Sequence, residues 1–162
     1  MKVRFVNLGK KFSRSFFKKV IEKVLKAEKK ESSALTVVFL GPLAMRKLNF
    51  EYRQKNRPTD VLSFSESANE ENYLGESFIC LSEVRNNAKI YNQDFEEELK
   101  RVLIHGLLHL LGYNHEKGGR GAEKMFRRQE HYLLKLEAQN LKPKCQIKSK
   151  ILISKHVLGL KL

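Results

Sequence analysis

Cysteine is scarce in this chain. Its two copies, Cys80 and Cys145, stand far apart with no C-x-x-C spacing. That pattern excludes a disulfide scaffold and reads as two unpaired thiols in a reducing compartment. Nor is a covalent staple needed, because a chain of 162 residues buries about 70% of the surface it exposes when unfolded. Long apolar runs are missing too. No stretch approaches the ~20 apolar residues of a membrane span, so no membrane partner is expected. There is no internal repeat and no low-complexity tract, and the length suits a single domain.

Acids are absent or rare at both ends. Residues 1–30 hold eleven Lys/Arg against two Glu, and residues 139–162 hold six Lys and no acid. The stretch between them is close to neutral, with fifteen Lys/Arg against sixteen Asp/Glu, although the whole chain carries a net charge of +14. Basic ends around a neutral middle point to a phosphate-rich partner. The basic start is not read as a targeting segment. Val3, Phe5 and Leu8 form a short apolar run that reads as a strand. Phe12, Phe16, Phe17, Val20, Ile21, Val24 and Leu25 then recur at helical spacing.

What is present is an interleaved set of strands and helices. Residues 2–8 are expected as a strand and 11–30 as an amphipathic helix. The run at 34–40, ALTVVFL, reads as a buried strand. Gly41-Pro42 places proline in the first turn of a helix through about Tyr52. Arg57-Pro58-Thr59 precedes a strand at Asp60–Phe64, the polar stretch 66–72 reads as a loop, and 73–80 as another strand. Ser82 is expected to cap a helix over about 83–91. Asp94 with Glu97 forms a capping-box pattern, and Glu96, Glu97 and Glu98 suit the positive end of a helix dipole. That helix is apolar nearly all round from Val102 to Leu111, the mark of a buried element, and Gly112 ends it. A last helix runs from about Ala122 to Ala138, and Pro143 closes the regular part. The expected fold is α+β: a mixed sheet of about four strands with helices packed on it, the central buried helix carrying histidines. The expected organisation is a domain over 1–140 and a basic tail over 141–162.

The chemistry is concentrated in His105-Gly106-Leu107-Leu108-His109-Leu110-Leu111-Gly112-Tyr113-Asn114-His115. His105 and His109 lie four apart on a helix, so their imidazoles leave one face about a turn apart, which suits two ligands of one tetrahedral ion. Gly112 permits the left-handed turn that ends the helix. The chain then folds back and delivers His115 as a third ligand. Three protein ligands leave a fourth position open, the catalytic pattern for zinc. Imidazoles in an apolar helix are costly unless their nitrogens are satisfied, and a metal satisfies them. Imidazole also suits nickel and copper, so spacing alone does not choose the ion. The pattern approaches the H-E-x-x-H-x-x-G-x-x-H signature of metzincin proteases, but Gly106 replaces the glutamate that acts there as general base. Metal-assisted hydrolysis is implied, and ordinary peptide cleavage is disfavoured. His131 and His156 lack ligand spacing to the triad.

H-G-x-L-H-L-x-G-Y-[DN]-H resembles the signature of the YbeY family of bacterial endoribonucleases, the rRNA maturation factors. A second block is similar to that family's other motif: Leu48-Asn49, Tyr52-Arg53-Gln54-Lys55 and Pro58-Thr59-Asp60-Val61-Leu62-Ser63-Phe64. Leu74-Gly75-Glu76 ahead of Phe78-Ile79-Cys80 resembles its L-G-D-I-x-I strand. The resemblance covers residues 1 to about 138. It implies a cytoplasmic zinc-dependent hydrolase of single-stranded RNA, with one ion held by His105, His109 and His115. The implied work is 16S rRNA 3′-end maturation and ribosome quality control, with the small subunit as partner. It implies Arg53 as a residue of RNA processing, and an arginine fork is suited to bind a phosphate at two points. Three departures stand out. Asn114 replaces the usual Asp, Ser65-Glu66 replaces the usual Pro-Phe, and the basic tail has no counterpart. The first leaves the general base unassigned, with Glu116 and Asp60 as weak candidates. The competing reading is a zinc-containing, ribosome-associated RNA-binding factor with little cleavage of its own. The open fourth ligand position opposes it and the missing base favours it. Oligomeric state is not readable.

Overall fold

A computed structural model of the chain describes residues 1–10, 12–66, 72–115 and 118–140. Five helices and four strands are present among them: β1 (Lys2–Val6), α1 (Arg14–Ala27), β2 (Ala34–Phe39), α2 (Pro42–Arg53), β3 (Val61–Ser65), β4 (Tyr73–Ile79), α3 (Leu81–Ile90), α4 (Phe95–Leu110) and α5 (Gly119–Asn140). The sheet order is β1-β2-β4-β3. β1, β2 and β4 run parallel, and β3 runs antiparallel to β4, with Val61 opposite Ile79 and Ser65 opposite Gly75. The expected mixed four-stranded sheet with a buried central helix is what forms.

Strand alternation sorts side chains to two faces. Leu35, Val37, Phe39 and Ile79 join the main core with Phe17, Ile21, Leu103, Ile104 and Leu107. Leu62, Phe64 and Phe78 point the other way, onto Met45 and Leu48 of α2. Helix α4 packs on β3 and β4 and is flanked by α1, α3 and α5. It is therefore enclosed, as its apolar sequence predicts.

Several ends differ from the sequence reading, each for a local reason. β1 stops at Val6 because Asn7 takes a left-handed φ of 57°. α1 begins at Arg14, after Ser13 in extended conformation, and ends before Lys29, whose φ is 56°. α3 begins at Leu81 with Cys80 as its N-cap, so Ser82 lies inside the helix and is not the cap. β4 runs almost directly into this helix, with the Cys80 N–H bonded to the Asp60 carbonyl at 2.8 Å. The Ser82 hydroxyl meets the Cys80 Sγ at 3.2 Å instead of the helix end. Most of the expected 66–72 loop, Glu116, Cys145, His156 and the basic tail lie outside the described residues.

Candidate metal centre

Helix α4 carries the site, and both its ends are built for it. Asp94 caps the N-terminus, accepting from the N–H groups of Glu96 at 2.7 Å and Glu97 at 3.4 Å. At the C-terminus, Gly112 sits at φ 88°. Its N–H donates to the His109 carbonyl at 3.0 Å, and the Tyr113 N–H donates to the Leu108 carbonyl at 3.0 Å. This pair of bonds is a Schellman motif, which closes the helix and reverses the chain. The reversal is then pinned. Tyr113 Oη donates to Glu28 Oε2 at 3.1 Å, while Arg128 Nε donates to Glu28 Oε1 at 2.9 Å and Tyr132 Oη bonds the same oxygen. One carboxylate at the end of α1 thus ties the turn to α5, two residues before His115.

His105, His109 and His115 converge. The Nε2 atoms of His109 and His115 each lie 3.2 Å from His105 Nε2, and ligand atoms of the three residues all lie within 4.8 Å of one another. With metal–nitrogen bonds of 2.0–2.1 Å, a tetrahedral ion requires ligand nitrogens about 3.3–3.4 Å apart. The donor set and its spacing therefore fit a zinc-type ion. Protonation states agree. His105 Nδ1 lies 2.9 Å from Gln129 Oε1. A carbonyl oxygen only accepts, so Nδ1 carries the proton and the Nε2 lone pair is left for a metal. Burial, followed by the neighbouring His105 and His115, pushes His109 down to about 4, against a weaker opposing bond with the Tyr113 backbone. Burial is also the largest cause lowering His105. Neutral imidazoles are what metal binding needs.

The triad lines a cleft of about 670 Å³, together with Arg53, Asp60, Glu98, Arg101 and Gln129. Arg53 ends α2, and its positive charge helps lower both His105 and His109. The loop after it is held by Asn49, whose Nδ2 donates to the Arg57 carbonyl at 2.7 Å. Lys55 and Arg57 line the cleft as well, so Arg53, Lys55, Arg57 and Arg101 share it with the acids Asp60, Glu83 and Glu98. His131 is exposed on α5 and does not join the triad.

Asp60, a weak candidate for the base, lines the cleft and also anchors its wall. Its Oδ1 accepts from the Val61 N–H at 2.8 Å and Thr59 Oγ1 at 3.1 Å, and its Oδ2 accepts from Asn87 Nδ2 at 3.1 Å. These bonds tie the loop to α3. Gly106 has its own reason. A Cβ there would stand 2.6 Å from Ser77 Oγ, 2.9 Å from Ser63 Oγ and 3.0 Å from Val61 Cγ2. The position after the first histidine faces β3 and β4, where a side chain would have no room without displacing them.

Three residues escaped the sequence reading. Gln129 is 5% exposed and sits on the buried face of α5 with Met125 and Tyr132. A lone glutamine on that apolar stripe was the available signal. Glu28 gave none, being one acid among exposed helix residues. Glu98 reads in the sequence only as a dipole residue, yet it is 3% exposed and its Oε2 has no hydrogen bond, with Arg101 Nε 3.7 Å away. Burial raises its carboxyl above the ordinary range, against Arg101.

A sequence profile described as Endoribonuclease YbeY matches residues 4–137. A Thermodesulfovibrio yellowstonii protein named Endoribonuclease YbeY is 39% identical, covering 86% of this chain and 93% of its own. A protein of the same name from Thermotoga neapolitana is 40% identical, covering 78% and 84%. The solution structure of a Thermotoga maritima protein superposes with a TM-score of 0.59 at 29% identity, over 89% of this chain and 99% of that one.

Proposed function

The chain belongs to the YbeY endoribonuclease family, and from that membership we propose that it is a zinc-dependent endoribonuclease of single-stranded RNA. Its work is then 16S rRNA 3′-end maturation and ribosome quality control, in the cytoplasm and on the small subunit. The observation that carries the reading is the convergence of three imidazole nitrogens in a cleft that also holds Arg53. His105, His109 and His115 would hold the ion. When bound, such an ion supplies Lewis acidity toward a phosphodiester and its attacking water.

The remaining roles belong to side chains of the chain itself. Arg53 grips a phosphate oxygen pair and steadies charge that builds on it. Gln129 holds the His105 ring in its ligating tautomer. Lys55 and Arg57 draw the RNA backbone to the mouth. The 1–140 region acts as the endoribonuclease domain, and the 141–162 tail adds sequence-independent phosphate contacts. The described residues include no helix long and apolar enough to cross a membrane.

The test joins metal analysis to cleavage of a single-stranded RNA with and without chelator. About one zinc per chain is expected, with cleavage abolished by chelation and restored by zinc. His109→Ala is expected to lose the metal and His131→Ala to keep it. Arg53→Lys keeps the charge but loses the fork, so cleavage falls while metal content holds. Metal-independent RNA binding without cleavage by the loaded protein would instead establish an RNA-binding factor with a structural ion.

A further inference from the structure

One aromatic ring is placed where neither the core nor the triad requires it. Phe126 lies on α5, 47% exposed, although the adjacent Met125 is fully buried. Its ring stands 5.6 Å from the His115 ring at an interplanar angle of 34°. Among the described residues, it is the ring from outside the triad that packs against a triad member. One face of Phe126 is therefore backed by His115, and much of the remainder meets solvent. One turn further along α5, Glu130 Oε1 accepts from Arg101 Nη1 at 2.6 Å, fixing a cation of the cleft wall. An exposed ring thus stands against one histidine of the triad, whose cleft also holds Arg53, Lys55, Arg57 and Arg101.

We propose that Phe126 is a stacking platform for one nucleobase flanking the scissile phosphate, and that it sets the preference for single strands. The inference rests on the endoribonuclease reading and adds a specificity residue to it. Arg53 and the triad line one cleft, and a phosphate held there would bring a flanking base near the His115 side, where Phe126 stands. Every base has a π-face, so an aromatic ring binds any of them without reading sequence. A base within a duplex is already stacked on its neighbours and paired. It must leave both partners to reach a protein ring, whereas a single-stranded base is free to do so. Arg53, Lys55, Arg57 and Arg101 in the cleft offer contacts to phosphates, which suits a polyanion as the occupant.

The test is a cycle between protein and substrate. Phe126→Leu keeps an apolar contact with His115 and removes the π-face, and Phe126→Trp enlarges the face. An abasic site is moved through the RNA, one position at a time, near the cut. Wild-type protein is expected to lose about five- to 150-fold in kcat/KM at one flanking position. Phe126→Leu should lose as much on intact RNA, and nothing further on RNA abasic at that position. Phe126→Trp should retain the wild-type rate, and the ratio of single- to double-strand cleavage should narrow in Phe126→Leu alone. Equal losses of Phe126→Leu on intact and abasic RNA overturn the proposal. So does an abasic scan of the wild-type protein that shows no sensitive position, which decides the matter even if the variants release their metal. If the wild-type protein cleaves no RNA, the endoribonuclease reading falls. The platform is then judged by the same cycle in binding affinity.

Discussion

At the residue scale, other side chains set the protonation and aim of the triad. Gln129 is the clearest case, since its carbonyl fixes the His105 tautomer through a 2.9 Å bond. Such outer partners typically contribute 10–100-fold to metal affinity. Gln129→Leu, which suits the buried face of α5, should weaken zinc binding by about that factor with the fold intact. Competition against a chelating dye measures it, and unchanged affinity would remove Gln129 from the site. Glu98 presents the opposite situation, a buried carboxylate whose Oε2 has no hydrogen bond and lies 3.7 Å from Arg101 Nε. Burial raises its folded-state value above that of the unfolded chain, so the folded state holds its proton to higher pH. Stability from this group is full at acid pH and declines as pH rises through the folded value. Glu98→Gln copies the neutral acid. It should therefore raise the melting temperature at neutral pH, by about 2–4 °C for each kcal/mol relieved in a chain of this size. The gain should vanish below about pH 4.5, where both proteins are uncharged at this position. A pH-independent gain, or a loss, would mean that the Arg101 contact outweighs desolvation.

At the element scale, α4 has to meet three demands together. Its N-terminus is capped, its middle is enclosed by sheet and helices, and its C-terminus reverses within one turn. Gly106 serves the second demand. Alanine there would gain about 1 kcal/mol of helix propensity. It would also place a methyl group against Ser77, Ser63 and Val61, and overpacking of this kind costs about 1–3 kcal/mol. The clash is the larger effect, so Gly106→Ala should lower stability by up to about 2 kcal/mol in chemical denaturation. In a Ser77→Ala background the nearest obstacle is gone, and the Ser63 hydroxyl is released from its 3.1 Å bond to Ser77. The same substitution should then be neutral or stabilising. Simple additivity of the two changes would argue against this account of the glycine.

At the scale of the whole molecule, charge is the organising feature. A net +14 with basic ends makes affinity for RNA depend steeply on salt. For single strands, the slope of log affinity against log salt is about −0.7 per phosphate contact. Six contacts give a slope near −4, so a fourfold rise in salt would cost a few hundredfold in affinity. Deleting 143–162 should flatten the slope by one or more contacts and leave the metal in place, since no triad ligand lies there. The truncated protein must first be shown to be folded, by its circular dichroism and melting profile. A folded truncation with unchanged affinity and slope would exclude the tail as an RNA contact.

The sequence alone determined the convergence of His105, His109 and His115, because histidine spacing on a helix and a glycine at its end are local properties of the chain. It also determined the four-strand mixed sheet and the buried helix, through strand alternation and an apolar run read in order. Element ends were less legible. Left-handed residues such as Asn7 and Lys29 carry no strong local signal, and the start of α3 follows from how β4 enters it. Everything that couples distant segments was decided by tertiary structure. Gln129 reaches His105 across 24 positions, and Tyr113 reaches Glu28 across 85. Gly106 is explained by serines on two strands far from it in sequence. Asp60 meets Asn87 across 27 positions, a contact that ties the loop before β3 to α3. Residue types and their periods show what a segment is able to do; which side chains share one cleft depends on how α2, α4 and α5 settle around the sheet.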